Sequence, residues 1–415
     1  MTIRTVLLGA LLSISSAAQA DAQWHLSDGI TGHDTGDLGL TTLSSPGDVN
    51  GDGYADILVG AGGASRHQSY AGAAYVYSGA TKDLLFRVDG RYQNELMGTA
   101  VLALTDVNQD GFKDILIGSP GRNRIAMHSG LNGKVLYRID GPLPSDLGRS
   151  LVKVDDLDGD RIVDFAAGTP NLTHADATMT GGITLFSGAT GKPIKEILPL
   201  SDSDHHGRML AACGDSNADG IEDFATYAWA GQSQWLLVYS GADASEIMRK
   251  RIVTSGFGSI ESIVNAGDLS QDGVDDIAIG MPHHAVNGKP GTGSVYVLSG
   301  TDGRILHRID GSEPGGGFGK SILGNIDMDQ DGQTDLVVSS VKKLIGWGWI
   351  HTYSGLNGQL LSSYRSNQVG DELGHAMAII GDTDGDGHHE IAIAAPAFDA
   401  TGGVDQGAVL IADLD

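Results

Sequence analysis

Short apolar runs of strand length, separated by turns rich in glycine and aspartate, recur along the chain. In one stretch, residues 262–266, 277–280, 294–300 and 305–309 are such runs, enriched in β-branched and aromatic side chains. Runs of this kind bounded by Gly, Asp, Asn or Pro predict β-strands, so each stretch predicts four short strands. The chain has 62 Gly and only 19% charged residues, and it lacks long helix-forming stretches. It is therefore predicted to be all-β.

An acidic nine-residue pattern is written seven times with small variations: Asp, any residue, Asp or Asn, any residue, Asp, Gly, two of any residue, Asp. The copies begin at Asp48, Asp106, Asp156, Asp215, Asp268, Asp327 and Asp382, in steps of 50 to 59 residues. Each unit opens with a bulky residue and a glycine, near residues 38, 97, 147, 206, 257, 318 and 373. Seven units of four strands predict a seven-bladed β-propeller, formed as one domain by residues 21–415.

The two ends of the chain are expected to close the ring together. The last repeat supplies only three predicted strands, ending at residues 408–412. The sequence of residues 23–29 resembles that of residues 306–311, a predicted fourth strand. The N-terminal strand is therefore predicted to complete blade seven. Such a clasp leaves no unpaired sheet edge at the joint.

The first 20 residues have the three parts of a secretory signal. Arg4 is positively charged, residues 6–14 are apolar, and Ala18-Gln19-Ala20 is a small-residue cleavage site. Cleavage near Ala20 would give a secreted or periplasmic protein. The apolar run is too short to span a bilayer, and no later segment is long and apolar enough, so we expect no membrane span. We also expect a monomer.

The strong negative charge limits the choice of partners. The formal net charge is −26, from 52 acidic and 26 basic residues. A chain of this charge repels phosphate backbones, so we expect no nucleic-acid partner. The predicted ligand positions of the seven loops hold 24 of the 52 acidic residues, so the acidity indicates metal binding.

The loop chemistry favours calcium, with up to seven ions. Ca²⁺ takes six to eight oxygen ligands, which positions 1, 3, 5 and 9 and the carbonyl of position 7 can supply. The predicted ligands are Asp48, Asn50, Asp52, Tyr54 and Asp56; Asp106, Asn108, Asp110, Phe112 and Asp114; Asp156, Asp158, Asp160, Ile162 and Asp164; Asp215, Asn217, Asp219, Ile221 and Asp223; Asp268, Ser270, Asp272, Val274 and Asp276; Asp327, Asp329, Asp331, Gln333 and Asp335; and Asp382, Asp384, Asp386, His388 and Glu390.

The alternative for these loops is an acidic hairpin turn without metal. Position 12, which is acidic in an EF-hand, is never acidic here, so a helix-flanked calcium loop is excluded. Two carboxylates about 5 Å apart repel by roughly 3 kcal/mol at an effective dielectric of 20. Seven uncompensated clusters would be costly, which favours the metal.

The opening pair, the acidic loop and the following Gly-x-Pro together resemble the FG-GAP repeat. The Gly-x-Pro element occurs at residues 118–120, 168–170 and 280–282, and it is absent at 227–229 and 339–341. FG-GAP repeats build the seven-bladed head of integrin alpha subunits. The resemblance covers residues 23–415 and implies a propeller, calcium in the loops named above and a role in adhesion or recognition. It suggests a stand-alone exported propeller of bacterial type.

The face opposite the calcium loops is the expected binding face, for a protein or a glycan. Candidate contacts there are Arg66, Tyr70, Tyr92, Arg122, Trp229, Trp235, His283, Trp347 and Trp349. Aromatic residues beside arginine and histidine suit sugar or peptide recognition, although scattered loop aromatics are also common without a ligand. A Gly-x-Ser-x-Gly elbow, a His-Glu-x-x-His motif and a phosphate loop are all absent from the sequence, and no catalytic residue is assigned. A polysaccharide lyase or hydrolase on the same scaffold, and a purely structural module, remain alternatives.

Overall fold

A computed structural model describes residues 25–31, 41–173, 180–199, 203–230, 233–252, 258–342, 346–399 and 406–413. Within these ranges the chain forms β-strands and one short 3-10 helix, Pro120–Arg122. The predicted signal segment and the opening pairs at residues 38–39 and 257–258 fall wholly or partly outside the described residues.

The strands form seven antiparallel sheets, and all but the last follow chain order. The N-terminal strand is β1 (His25–Thr31). Blade one contains β2 (Thr41–Gly47), β3 (Asp56–Ala61), β4 (Ala73–Tyr77) and β5 (Leu84–Asp89). Blade two contains β6 (Val101–Ala103), β7 (Ile115–Ser119), β8 (Arg124–His128) and β9 (Val135–Asp140). Blade three contains β10 (Leu151–Lys153), β11 (Phe165–Gly168), β12 (Ile183–Phe186) and β13 (Pro193–Ile197).

The remaining blades repeat the plan. Blade four contains β14 (Ser203–Asp204), β15 (Ala211–Gly214), β16 (Asp223–Ala230), β17 (Ser233–Tyr239) and β18 (Glu246–Ile252). Blade five contains β19 (Ser262–Gly267), β20 (Asp276–Met281), β21 (Ser294–Leu298) and β22 (Ile305–Asp310). Blade six contains β23 (Phe318–Ile326), β24 (Asp335–Val341), β25 (Gly348–Tyr353) and β26 (Leu360–Arg365). Blade seven contains β27 (Met377–Gly381), β28 (Glu390–Ala395) and β29 (Ala408–Asp413), to which β1 is added.

The seven sheets close into a ring around a central axis. The first full strand of each blade, β15 in blade four, contacts the corresponding strand of the next, and β27 of blade seven contacts β2 of blade one. The predicted seven-bladed propeller is therefore confirmed. Blade four differs slightly, because the short β14 pairs with the far end of β16.

The predicted closure of blade seven is also confirmed. Strand β1 pairs antiparallel with β29, with Leu26 opposite Ala412 and Thr31 opposite Ala408. Ile30 is buried in a cluster that contains Val409, Ile411 and residues of blade one. The N-terminal strand therefore occupies the outermost position of the last blade.

The hydrophobic core is divided among the blade interfaces. Seven buried clusters are present in the described residues, and each joins one blade to its neighbour. Strand β3 is buried along its whole length, as are β20 and β28. This explains why the second strand of each repeat reads as a continuous apolar run and does not alternate.

The glycine of the opening pair is required by close packing between blades. A Cβ on Gly148, the opening glycine of blade three, would lie 2.6 Å from the carbonyl oxygen of Arg124 in blade two. Gly148 itself has a φ of +89°, which side chains rarely adopt. Where the Gly-x-Pro element is absent, β16 and β24 run on to Ala230 and Val341.

Candidate functional site

The acidic loops connect the first and second strands of each blade, so all seven lie at the same end of the ring. In the first loop, the Asp48 carboxylate accepts hydrogen bonds from the N–H groups of Gly51 (2.6 Å) and Gly53 (2.8 Å). The Asp52 carboxylate accepts one from Tyr54 N–H (2.9 Å). These bonds fold the loop around its own carboxylates.

The ninth position is the buried base of every loop. In six loops its carboxylate accepts a hydrogen bond from the second loop residue, as Asp56 does from Val49 N–H (2.8 Å), and in the fifth loop Asp276 accepts one from the third residue, Ser270. In the first six blades it also accepts one from the glycine after the third strand, as Asp56 does from Gly79 (3.0 Å). The residues concerned are at most 2% exposed: Asp56, Asp114, Asp164, Asp223, Asp276, Asp335 and Glu390. The carboxylate therefore ties the loop to its own blade.

Carboxylate oxygens converge in three of the loops. Within each set, one ligand atom from every residue lies within 4.8 Å of the others. The sets are Asp156, Asp158 and Asp164; Asp327, Asp329 and Asp335; and Asp382, Asp384, Asp386 and Glu390. Three of the other four loops carry Asn at position 3 and one carries Ser270, so these offer fewer carboxylates. The three clusters are acidic groups that could hold a divalent cation.

The seventh loop contains a buried carboxylate oxygen without a hydrogen-bond partner among the described residues. Glu390 Oε2 accepts a hydrogen bond from Thr383 N–H, whereas Glu390 Oε1 is buried and unpaired. An unpaired buried polar atom is expensive, and an unpaired buried charge more so. A cation in this cluster would satisfy Glu390 Oε1 together with three neighbouring carboxylates, so the residues present fit such an ion.

The third loop keeps the same turn without glycine at its sixth position. Arg161 has a φ of +72°, in the left-handed region that Gly53 and Gly111 occupy in the first two loops. A non-glycine residue held there stores local strain. The chain therefore maintains the loop geometry even where its sequence opposes it.

A divalent cation at these carboxylates is expected to bind more weakly below about pH 6. Burial is the main cause that raises the pKa of Asp223 and of Asp335 to about 6. The ligands must be deprotonated, so calorimetry at about pH 5 should give weaker affinity than at about pH 8. The metal-free fold should behave oppositely. A carboxyl group whose pKa is raised by folding adds to the free energy of unfolding of the metal-free protein at low pH. This contribution is lost as the pH rises through about 6. Equal affinity at both values would contradict the role of these carboxylates.

The candidate ligand-binding residues lie on the opposite end, in or beside the connections after second and fourth strands. The structure brings some of them together. The Arg122 guanidinium stacks over the Tyr92 ring, 4.5 Å from its centroid. Arg365 lies over Trp347 (4.6 Å) and over Trp349 (5.8 Å). Arg365 was not among the candidates, because nothing in its local sequence marks it.

Trp347 and Trp349 line a groove of about 350 Å³ between blades five and six. Phe318, His351 and Tyr353 continue its aromatic wall, and Trp349 stacks on His351 with ring centroids 5.8 Å apart. The blade-five side supplies carboxylates, from Asp310 and Glu313. The groove thus combines flat aromatic surfaces with hydrogen-bond acceptors.

The remaining candidates are dispersed. Arg66 and Tyr70 are exposed, and they line none of the cavities described here. Trp235 lies on β17 opposite Ala228. His283 is close to Glu261, with Nε2 3.0 Å from a carboxylate oxygen. Trp229 lines a separate cavity on the axis of the ring.

This axial cavity is the site that sequence reasoning missed. It measures about 810 Å³ and is lined by Arg149, Arg208, His205, Tyr227 and Trp229, among others. Arg149 and Arg208 each follow the opening-pair glycine of their blade. That equivalence in the repeat was the available signal, because equivalent positions meet at the axis of a ring.

Comparison with known proteins identifies the repeat. The FG-GAP repeat family model matches residues 42–77, 97–136, 262–298 and 374–411. Phosphatidylinositol-glycan-specific phospholipase D of Rattus norvegicus is 30% identical over 167 residues, which cover 35% of this chain and 20% of the relative. Integrin alpha-5 of Xenopus laevis is 29% identical over 214 residues, which cover 46% of this chain and 19% of the relative. The chain thus spans about a fifth of the length of these curated relatives.

Solved structures share the fold at low sequence identity. Raptor of Chaetomium thermophilum superposes with a TM-score of 0.59 at 10% identity, covering 94% of this chain and 29% of Raptor. BBS1N, solved in complex with ARL6DN, gives a TM-score of 0.56 at 11% identity, covering 94% of this chain and 97% of BBS1N. Across the described residues, no helix has the length and apolarity needed to cross a membrane. The chain thus contains FG-GAP repeats within its seven-bladed β-propeller, and integrin alpha chains are among its relatives.

Proposed function

We propose that this protein is an exported, monomeric, calcium-binding propeller that recognises a protein or a glycan on the face opposite its acidic loops. Export follows from the predicted signal segment, with cleavage near Ala20, to the periplasm or the medium. The integrin alpha relatives suggest the adhesive role. The acidic loops would serve the fold, and the opposite face would serve recognition.

The calcium part of the proposal is supported by the oxygen-only chemistry of the clusters. The set Asp382, Asp384, Asp386 and Glu390 contains four carboxylates and no nitrogen or sulfur ligand. Hard oxygen ligands in a flexible loop suit Ca²⁺, whereas Mg²⁺ demands tighter octahedral geometry. The carbonyls of position 7 in each loop would complete the shell.

The recognition part rests on one observation, the aromatic groove between blades five and six. Trp347 and Trp349 are only partly buried, and Arg365 stacks on both. Rigid aromatic surfaces beside charged groups are typical of binding sites for sugars and peptides. Trp347 and Trp349 lie outside the buried cluster that holds blades five and six together.

A polysaccharide-active enzyme is the second candidate. His205, Tyr227, Arg149 and Arg208 converge on the axial cavity, from blades three and four. Side chains of these types can move protons and stabilise developing negative charge. Release of unsaturated or reducing ends from an acidic polysaccharide would favour this candidate over simple binding.

We expect a glycan array and a pull-down in calcium to give a ligand whose affinity falls about two- to tenfold in Trp349→Ala, because a stacked aromatic surface is lost. Leu131→Ala is the control, since Leu131 is an exposed apolar residue outside the groove. Binding should disappear in chelator if the loops maintain the fold. Absence of any ligand in both screens would argue for a structural module.

A further inference from the structure

The residue directly after the opening-pair glycine occupies an equivalent position in every repeat of the sequence. In the described residues, five of these positions line the axial cavity of about 810 Å³. They are Thr99, Arg149, Arg208, Ser259 and Lys320. Three of the five are cations, in a chain whose net charge is −26. The axial cavity therefore has a basic lining, although the protein as a whole is acidic.

One of these cations is already neutralised. Lys320 Nζ lies 2.9 Å from a carboxylate oxygen of Glu261, and Glu261 also contacts His283. Arg149 and Arg208 have no such partner, because neither forms an ion pair with a carboxylate anywhere in the described part of the chain. Two guanidinium groups from adjacent blades thus share one cavity without a counter-ion from the protein.

The electrostatic balance at Arg149 points the same way. Burial lowers the pKa of Arg149, and the nearby charge of Arg208 lowers it further. Asp146 opposes this shift, but its effect is smaller than that of Arg208. The Asp146 carboxylate also accepts a hydrogen bond from Asn171 Nδ2 (2.6 Å). An anion between the two arginines would relieve their repulsion.

The walls of the cavity indicate what carries the anion. Trp229 and Tyr227 line the same space, both from strand β16. A tryptophan face packs well against the apolar face of a sugar ring, and arginine forks match a planar carboxylate. The volume of about 810 Å³ exceeds what one amino-acid side chain requires and accommodates more than one sugar ring.

We propose that the axial cavity binds a uronate residue of an acidic glycan, with the sugar carboxylate between Arg149 and Arg208 and the ring beside Trp229. This inference deepens the proposed recognition function and rests on it. It assigns a ligand class, carboxylate-bearing saccharides, and two specificity-determining arginines. It requires no catalytic step.

The test uses the full chain with calcium and short oligomers of galacturonate, glucuronate and mannuronate as probes, with carboxyl-reduced oligomers as neutral counterparts. At least one uronate oligomer should bind, and its reduced counterpart should bind about tenfold or more weakly, because charged hydrogen bonds are lost. Arg208→Ala should weaken uronate binding about tenfold or more. Arg208→Lys should restore it only partly, because lysine lacks the bidentate fork.

Arg304→Ala is the matched control. The Arg304 side chain is 62% exposed and lies in the turn between β21 and β22. Melting temperatures should be unchanged in the Arg208 variants, which separates loss of binding from loss of folding. Failure of every uronate oligomer to bind, or equal binding by Arg208→Ala, would overturn the inference. Binding of neutral glycans alone would overturn it and leave the proposed recognition function standing. Arginine-dependent binding of an acidic peptide without uronate binding would overturn the ligand class.

Discussion

Removal of calcium is expected to lower the melting temperature by more than about 10 °C. A ligand that binds only the folded state stabilises it by about 2.7 kcal/mol per site at a hundredfold excess over its dissociation constant. Three loops bring their carboxylates within 4.8 Å of one another. Without a cation these charges repel, and Glu390 Oε1 remains buried without a partner among the described residues. Both penalties act on the folded state.

Thermal melts in calcium, in chelator, and after return of calcium or magnesium would measure this effect. Calcium should restore stability better than magnesium, because the loops offer many oxygens without a compact octahedral cage. Glu390→Gln should remove part of the calcium dependence, since it removes one charge from the seventh cluster. Glu196→Gln, at an exposed position of β13, should have no effect. A melting temperature indifferent to chelator would contradict calcium as a structural ion.

The sequence was sufficient to predict the architecture because repetition multiplies weak signals. One acidic turn is ambiguous, but seven in register define the blade number and place every loop between a first and a second strand. The four strands predicted from residues 262–309 are observed as β19 to β22, with shifts of one or two residues at their ends. The pairing of β1 with β29 was predictable because only one blade lacked its fourth strand.

The sites that join separate blades could not be predicted in this way. Arg149 and Arg208 lie 59 residues apart and meet only because the ring closes. Lys320 and Glu261 are likewise separated by 59 residues. Their contact neutralises Lys320 and leaves Arg149 and Arg208 as the axial cations without an ion pair. The stacking of Arg365 on two tryptophans depends on the register of β25 and β26, which places Arg365 opposite Trp349. Local sequence contains none of this information.

Deletion of residues 21–31 is expected to destabilise the whole ring, with a fall in melting temperature of about 10 °C or more. The deletion removes β1, exposes the paired edge of β29 and uncovers Val409 and Ile411. Ile30 alone is 4% exposed, so Ile30→Ala should cost about 2 to 5 kcal/mol. Thr31→Ala, at an exposed position of the same strand, is the matched control and should leave stability unchanged.

The same deletion tests whether β1 holds the ring closed or only covers the edge of β29. If β1 closes the ring, its loss leaves blade seven with three strands and removes Ile30 from the cluster between blades seven and one. Calcium should then protect less, because Ala55 N–H donates a hydrogen bond to the carbonyl of Asp382 (2.9 Å), the first residue of the seventh loop, at this joint. Melts of the deleted chain with and without calcium measure both effects. An unchanged melting temperature would show that β1 does not hold the ring closed.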